Sequence, residues 1–268
     1  MTTQTFPLTG AINLFVRIGH GTVSVEARDD LTEATVDIDA GDGVEAKDVP
    51  IAAEMRGPTL HVAGPREGAL FDLGLFGGRP RSTVHVRVVV PTLTAVKIVT
   101  VDAPVRVVGR VNGADVAFGR GEAEFDTVDG DLRLRFGQGK ARAQHVGGAV
   151  QVRSGHGSVD LGEVGGDVRY GSGTGDLHVA VARKAVLVRS GSGAARLDEV
   201  HGDVDLTSGA GDLRIGLPTG VNARLDAHTG TGHVRSDLPI DGAPGAGADP
   251  ISLRVRTAHG NVHIVRAA

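Results

Sequence analysis

Residues 150–167, VQVRSGHGSVDLGEVGGD, decide the fold, because the chain repeats their pattern at intervals of 18 positions. The apolar residue that opens this stretch recurs as Val150, Val168, Val186 and Val204. A glycine recurs at the same interval as Gly155, Gly173, Gly191 and Gly209. A fixed period of this size is typical of architectures in which each repeat buries its apolar face only against its neighbours.

Within one repeat the apolar residues form pairs two positions apart, such as Val150 with Val152 and Val159 with Leu161. This is the period of a β-strand with one face inward, so each pair predicts a short strand. The SerGlyXGly sequence between the pairs predicts a tight corner, since glycine adopts the positive φ that such corners need. The repeat therefore predicts an all-β fold, a parallel β-helix or solenoid with about 18 residues per coil.

The pattern divides the chain into two parts. Residues 96–268 are predicted to form the solenoid, with a loop insertion at 236–250 that is rich in glycine, alanine and proline, and a last coil at 253–265. Residues 1–95 are predicted to form a β-rich N-terminal cap, because alternating runs follow a first coil-like motif at 16–25.

Two known coils of this size do not fit the sequence. The left-handed hexapeptide helix of acyltransferases needs an aliphatic residue six positions after Val152, where this chain has Ser158. The calcium-binding nonapeptide roll needs aspartate at each corner, but the corner equivalent to Asp176 carries Ala194 in the next repeat. The sequence therefore predicts neither an acyltransferase nor a calcium-organised roll.

Composition limits the ligands. A net charge of −4 and a pI near 6.2 argue against nucleic acid as a partner. The chain has no cysteine for a disulfide or a thiolate metal site, and its 11 histidines are scattered, so no metal or other cofactor is predicted. No apolar stretch approaches the length of a membrane span and no signal peptide is recognisable, so a cytoplasmic location without an integral membrane segment is predicted.

One apolar segment, residues 68–78, interrupts the repeat pattern between glycines and arginines. Its large apolar residues are Leu70, Phe71, Leu73, Leu75 and Phe76. An exposed hairpin tip or short helix of this composition predicts a surface that binds a partner subunit or a membrane surface. The alternative is a flap that folds over the end of the solenoid and covers its core.

A column, meaning residues at equivalent positions of successive repeats, carries charges on the outer face. It consists of Arg106, Glu124, Arg142, Asp160, His178, Arg196 and Arg214. Its first four members alternate in sign, which predicts ion pairs between strands that lie about 4.8 Å apart. The alternative is an anion or ligand face for an acidic polymer such as a polysaccharide, formed by Arg189, Arg196 and Arg214.

Carboxylates recur at the corners, for example at Asp176 and Asp212, and suggest a second class of function. Polysaccharide lyases and hydrolases need two or three clustered carboxylates, whereas these two are expected roughly 10 Å apart. Aspartate is also a common turn residue. No catalytic residue is predicted, and a carbohydrate-active β-helix enzyme stays the alternative hypothesis.

The run HVRVVVPTLT at 85–94, followed by SGHGSVDL at 154–161 and GGDV at 165–168, resembles the bacterial putative-adhesin family of β-strand-repeat proteins, a domain of unknown function. The resemblance covers about residues 84–265. It implies a parallel β-solenoid whose motif glycines are structural. The expected function is that of a non-enzymatic, adhesin-like scaffold or binding protein that mediates protein–protein contact or self-association.

Overall fold

The computed structural model describes residues 2–8, 10–40, 51–64, 83–238 and 250–267. Within these ranges the regular structure is β-strand throughout, with no helix, so the predicted all-β class is confirmed. Neighbouring strands pair both in parallel and antiparallel, and the sheet is therefore mixed. The chain forms two compact units, Met1–Glu124 and Phe125–Ala268.

The strands are numbered in the order in which they occur along the described chain. Those of the first unit are β1 (Thr2–Pro7), β2 (Asn13–Arg28), β3 (Glu33–Ala40), β4 (Ala52–Arg56), β5 (Thr59–Ala63), β6 (Val84–Pro91), β7 (Ala95–Asp102) and β8 (Val105–Val111), and β9 (Gly113–Val128) runs across the boundary. Those of the second unit are β10 (Leu132–Val146), β11 (Val150–Val164), β12 (Val168–Thr174), β13 (Leu177–Ala182), β14 (Val186–Ser192), β15 (Ala195–Val200), β16 (Val204–Ala210), β17 (Leu213–Leu217), β18 (Ala223–Thr231), β19 (Val234–Ser236), β20 (Ile251–His259) and β21 (Val262–Arg266).

In the first unit, the long strand β2 pairs in parallel with β5 and β6 and also with β7 and β8. The strands that pair with the other sides of β5 and β6 run the opposite way. β4 is antiparallel to β5, β3 is antiparallel to β6, and β1 is antiparallel to β3. Antiparallel strands therefore cover this side of β2.

In the second unit, the sequence repeat is also the spatial repeat. Strands β10 to β17 pair in parallel, and the partners differ by 18 in residue number, as in Leu132 with Val150 and Val168 with Val186. Equivalent residues therefore lie directly against one another in columns. The inward columns are buried in three successive repeats at Val150, Val152, Val159, Leu161 and Val164, at Val168, Tyr170, Leu177, Val179 and Ala182, and at Val186, Val188, Ala195, Leu197 and Val200.

The serine of the SerGlyXGly corner is buried or half-buried in each of the repeats from 150 to 211. Ser208 and its equivalent Thr257 are each only 4% exposed. Their hydroxyls donate to the carbonyl oxygens of Ala210 and His259, two residues ahead, at 3.1 Å. Buried hydroxyls are tolerated where they are hydrogen-bonded, so a polar column lies beside the apolar ones.

The two glycines of each corner have different roles. The second, such as Gly175, has a φ of 145°, as predicted for a corner. The first, such as Gly173, has no positive φ, but a Cβ there would lie 2.7 Å from the carbonyl oxygen of Gly155 in the preceding repeat. Close contact between backbones, and not φ, therefore requires the glycines at the first position. In β10 and β11 the strand also continues through the corner, where two short strands were predicted.

The last two repeats do not lie in the order of the chain. β20 pairs in parallel with β16 on one side and with β18 on the other, so that Leu253 lies between Val204 and Leu225. β21 lies in the same way between β17 and β19. The segment predicted as the last coil is therefore internal, and the end position belongs to β18 and β19.

The composition of the two segments explains this order. The inward residues of β20 and β21 include Leu253, Val255, Val262 and Ile264, all fully buried. The equivalents in β18 and β19 are Leu225, Ala227, Val234 and Ser236. The larger apolar side chains gain more from contact on both sides, and the smaller and more polar set lies at the end.

Candidate functional site

The predicted partner-binding segment, with Leu70, Phe71, Leu73, Leu75 and Phe76, lies outside the described residues, so this part of the site stays a prediction. The predicted arginine face can be placed. Two columns of the second unit contain its three arginines: Arg196 and Arg214 are neighbours in one column, whereas Arg189 lies in another, beside Thr207.

Two of these arginines already have partners. Arg189 donates to Thr207 Oγ1 at 2.6 Å, and Arg196 Nε donates to Asp198 Oδ1 at 2.6 Å. Arg214 lies between Arg196 and His263 and forms no hydrogen bond or ion pair within the described chain. A ligand face formed by Arg189, Arg196 and Arg214 therefore stays a prediction.

The outer column forms the ion pairs that its alternating signs predicted. Arg142 Nε lies 3.5 Å from Asp160 Oδ2, and Asp160 Oδ1 lies 2.9 Å from His178 Nδ1. His178 Nε2 lies 2.8 Å from Asp198 Oδ2. His178 is therefore held between two carboxylates that belong to different repeats. A carboxylate accepts but does not donate, so the doubly protonated imidazolium satisfies both contacts.

The ionisation of this cluster follows from its geometry. Partial burial of His178 opposes its protonation, but the hydrogen bonds to Asp198 and Asp160 outweigh burial and raise its pKa above the ordinary value. Partial burial also disfavours the charged form of Asp198, but hydrogen bonds from Arg196 and His178 lower its pKa. The charged ladder is therefore most complete where His178 is protonated and both carboxylates are ionised.

We expect this cluster to make stability depend on pH. A histidine whose pKa is raised by folding stabilises the folded state fully below its unfolded pKa, and this contribution is lost as the pH rises through the folded pKa. The stability difference between the wild type and His178→Asn should therefore be larger near pH 5.5 than near pH 8.5. Denaturant unfolding at both pH values measures it.

The variant Asp198→Asn tests whether the contact with carboxylates is what raises the pKa of His178. It removes one of the two carboxylates that accept from His178, so the pKa of His178 should fall, which an NMR titration of the imidazole measures. A wild-type His178 that titrates below its ordinary value would show instead that burial dominates.

The corner carboxylates hold the backbone of the adjacent repeat. Asp176 Oδ1 accepts the N–H of Ala194 at 2.8 Å, and Asp212 Oδ1 accepts the N–H of Asn261 at 2.8 Å. Asp203 accepts the N–H of Ser252 at 2.7 Å in the same way. These contacts give the recurring aspartates a structural role. Among the described residues, no group of three histidine or carboxylate side chains is arranged to hold a metal ion.

A shallow groove of about 390 Å³ lies along one face of the second unit. Its charged residues include Asp167, Arg169, Asp205 and Arg254. Arg169 pairs with Asp167 at 3.3 Å, and Arg254 lies 3.8 Å from Asp205. These charges compensate one another, so the groove does not present a set of unpaired groups to a ligand.

An unpaired strand edge is the more distinctive surface. β18 pairs with β20 and β19 pairs with β21, and in the described part of the chain no strand pairs with their other side, which we call the open edge. Leu225 and Val234 occupy inward positions there, yet they are 39% and 44% exposed. Two large apolar side chains thus lie beside unpaired backbone groups, a combination typical of surfaces that bind another strand.

The hydrogen-bond pattern shows which backbone groups are free. Ile251 N–H donates to the carbonyl oxygen of Asn222 at 3.0 Å, so the even-numbered residues from 224 to 228 direct their backbone groups toward β20. In a strand, alternate residues direct these groups to opposite sides. The N–H and C=O groups of Leu225, Ala227 and Thr229 therefore point to the open edge.

Sequence reasoning missed this surface, although a signal was present. Residues 229–232 read TGTG, which resembles the SerGlyXGly corner at 208–211 but lies 21 positions after it instead of 18. The three additional residues shift this repeat out of the regular interval.

In the described chain, no helix has the length and apolar character to cross a membrane.

Comparison with known proteins gives weak similarities. No protein-family model and no curated protein matches the chain. Among solved structures, the chain is similar to a putative adhesin from Parabacteroides merdae, with 12% identity, coverage of 99% and 96% of the two chains and a TM-score of 0.43. A putative adhesin from Parabacteroides distasonis matches with 13% identity, coverage of 98% and 96% and a TM-score of 0.42. A putative cell adhesion protein from Clostridium sporogenes matches with 12% identity, coverage of 99% of both chains and a TM-score of 0.30.

Proposed function

We propose that the chain is a non-enzymatic β-solenoid scaffold, an adhesin-like binding protein that acts through protein–protein contact or self-association. In this proposal residues 96–268 form coils of about 18 residues and residues 1–95 form the N-terminal cap. The parallel pairing at intervals of 18 residues in β10 to β17 supports the coils. The cytoplasmic location stays a prediction from the sequence.

The open edge of β18 and β19 is the observation that carries the proposal. A strand edge with free N–H and C=O groups is a template for a further strand, and proteins that avoid such pairing cover or charge their edges. Strand addition joins two chains by main-chain hydrogen bonds, while apolar side chains provide specificity. Leu225 and Val234 are placed to provide this contact.

The regular outer columns support a role in binding over one in catalysis. The charges on this face are engaged with one another, as in the Arg196–Asp198 pair, and the corner aspartates hold backbone N–H groups. Paired charges make a surface soluble and set the register of its strands. In the described residues, the open edge combines unpaired backbone groups with exposed apolar side chains.

Sedimentation velocity over a range of protein concentrations tests this function. We expect the wild type to associate, and Leu225→Lys to weaken that association at least about tenfold, because a lysine at an edge opposes strand addition. Arg224→Lys is the matched control, since it changes the adjacent side chain on the outer face and keeps its charge.

Circular dichroism and the Tm of each variant establish that it is folded. The proposal of self-association is wrong if the wild type stays a monomer at every concentration. If Leu225→Lys associates as strongly as the wild type and the Arg224→Lys control, the self-association does not use the open edge.

A further inference from the structure

We infer that the occupant of the open edge is β18 of a second copy of this chain, paired antiparallel about a two-fold axis at Ala227. This inference rests on the proposed self-association and specifies its partner and register. It follows from the direction of the backbone groups, from the charges of β18 and from the position of its apolar residues.

The backbone groups of β18 are self-complementary in this register. Within the described chain, the N–H and C=O groups that point to the open edge include those of Leu225, Ala227 and Thr229. A two-fold axis at Ala227 places Ala227 opposite its own copy and Leu225 opposite Thr229. In an antiparallel pair, such residues exchange both of their hydrogen bonds. Every free group of these three residues thereby finds a partner.

The charged side chains fit the same register. Between the hydrogen-bonded pairs, Asp226 lies opposite His228 of the second copy, and Arg224 lies opposite Gly230. These are non-hydrogen-bonded pairs, whose Cα atoms are about 4.5 Å apart and whose side chains are in close contact. An acidic residue thus faces a histidine, and the arginine faces no like charge.

The alternative of parallel pairing in register is unfavourable for the same residues. It would place Asp226 on Asp226 and Arg224 on Arg224, and like charges directly opposite each other destabilise a sheet. Within one chain Asp226 already faces basic groups, with Arg256 Nη2 at 3.6 Å and Arg254 Nε at 3.9 Å. In the antiparallel arrangement it keeps these contacts and gains the histidine.

The apolar residues also continue across the proposed contact. A two-fold axis perpendicular to the sheet keeps the inward face of both strands on the same side, so Leu225 of each copy remains next to the interior. Leu225, at 39% exposed, would be covered by the second copy. Because both copies use the same edge, the contact closes at two chains and predicts a dimer instead of a filament.

Single cysteines test this register, since the chain contains none of its own. In the dimer, Ala227→Cys would lie opposite its copy with Cα atoms about 5.5 Å apart, within the range of a disulfide. Ala223→Cys is the matched control, because it lies on the same strand and the same face. Its copy would be about 27 Å away, eight residues along the strand.

After mild oxidation, we expect at least about tenfold more crosslinked dimer from Ala227→Cys than from Ala223→Cys on a non-reducing gel. Equal crosslinking of both variants indicates random collision and overturns the inferred register. A third outcome is that the wild type associates and Leu225→Lys abolishes the association, but Ala227→Cys does not crosslink. In that case the inferred register is wrong and the proposed function stands. A wild type that stays monomeric overturns both the inferred dimer and the proposed self-association.

Discussion

Replacing Gly175 by alanine is expected to lower the free energy of unfolding by about 4 kcal/mol or more, one of the largest effects available from a single methyl group in this chain. Gly175 has a φ of 145°, which residues with a side chain rarely adopt. A Cβ there would lie 1.8 Å from the carbonyl oxygen of Gly157, so the stacked backbones would have to separate. Denaturant unfolding, followed by circular dichroism, measures the loss.

Gly171→Ala is the matched control for this change. Gly171 lies four residues earlier, has no positive φ, and the nearest atom to its added Cβ would be the carbonyl oxygen of Val152 at 3.9 Å. Its substitution should change the free energy of unfolding by less than about 1 kcal/mol. Equal losses for the two variants would show that the close stacking at Gly175 is not what requires glycine.

The second large effect is a difference between two leucines of one column. Leu253→Ala should lower the free energy of unfolding by about 2–5 kcal/mol, because Leu253 is 0% exposed and lies between Val204 and Leu225. Leu225→Ala should cost about 1 kcal/mol, because Leu225 is 39% exposed at the end of the column. Both variants should be unfolded by denaturant at a concentration where the protein is monomeric.

This comparison tests the spatial order of the last two repeats, with the same chemical change at both positions. If the repeats were stacked in chain order, Leu225 would be internal and Leu253 would be at the end. The ranking of the two losses would then be reversed. Similar losses at both positions would indicate that a further part of the chain covers Leu225.

Much of the second unit was predictable because its signal is local and repeated. The apolar columns at Val150 and Val159 recur at 18-residue intervals, and parallel pairing of like residues is the arrangement that buries them all. The ion pair between Arg142 and Asp160 was predictable for the same reason, since neighbours in a column are neighbours in space. The contact of His178 with Asp198 could not be predicted from the sequence, because Asp198 belongs to another column and reaches His178 only through the direction of its side chain.

The glycines show the limit of a local pattern. The sequence marks all of them as corner residues, but the reason for glycine differs between Gly173 and Gly175. A positive φ is a property of one residue, and the turn pattern indicates it. The 2.7 Å distance at Gly173 depends on the preceding repeat, so it becomes visible only when the repeats are stacked.

The open edge could not be predicted from the sequence pattern, for a related reason. Periodicity states which residues face inward, as it does for Val150 and Val159. It does not state which repeat lies on either side, because every repeat offers a similar inward face to its neighbour. The choice depends on how much apolar area each order buries, and that comparison places β20 and β21 inside and leaves β18 and β19 at the end.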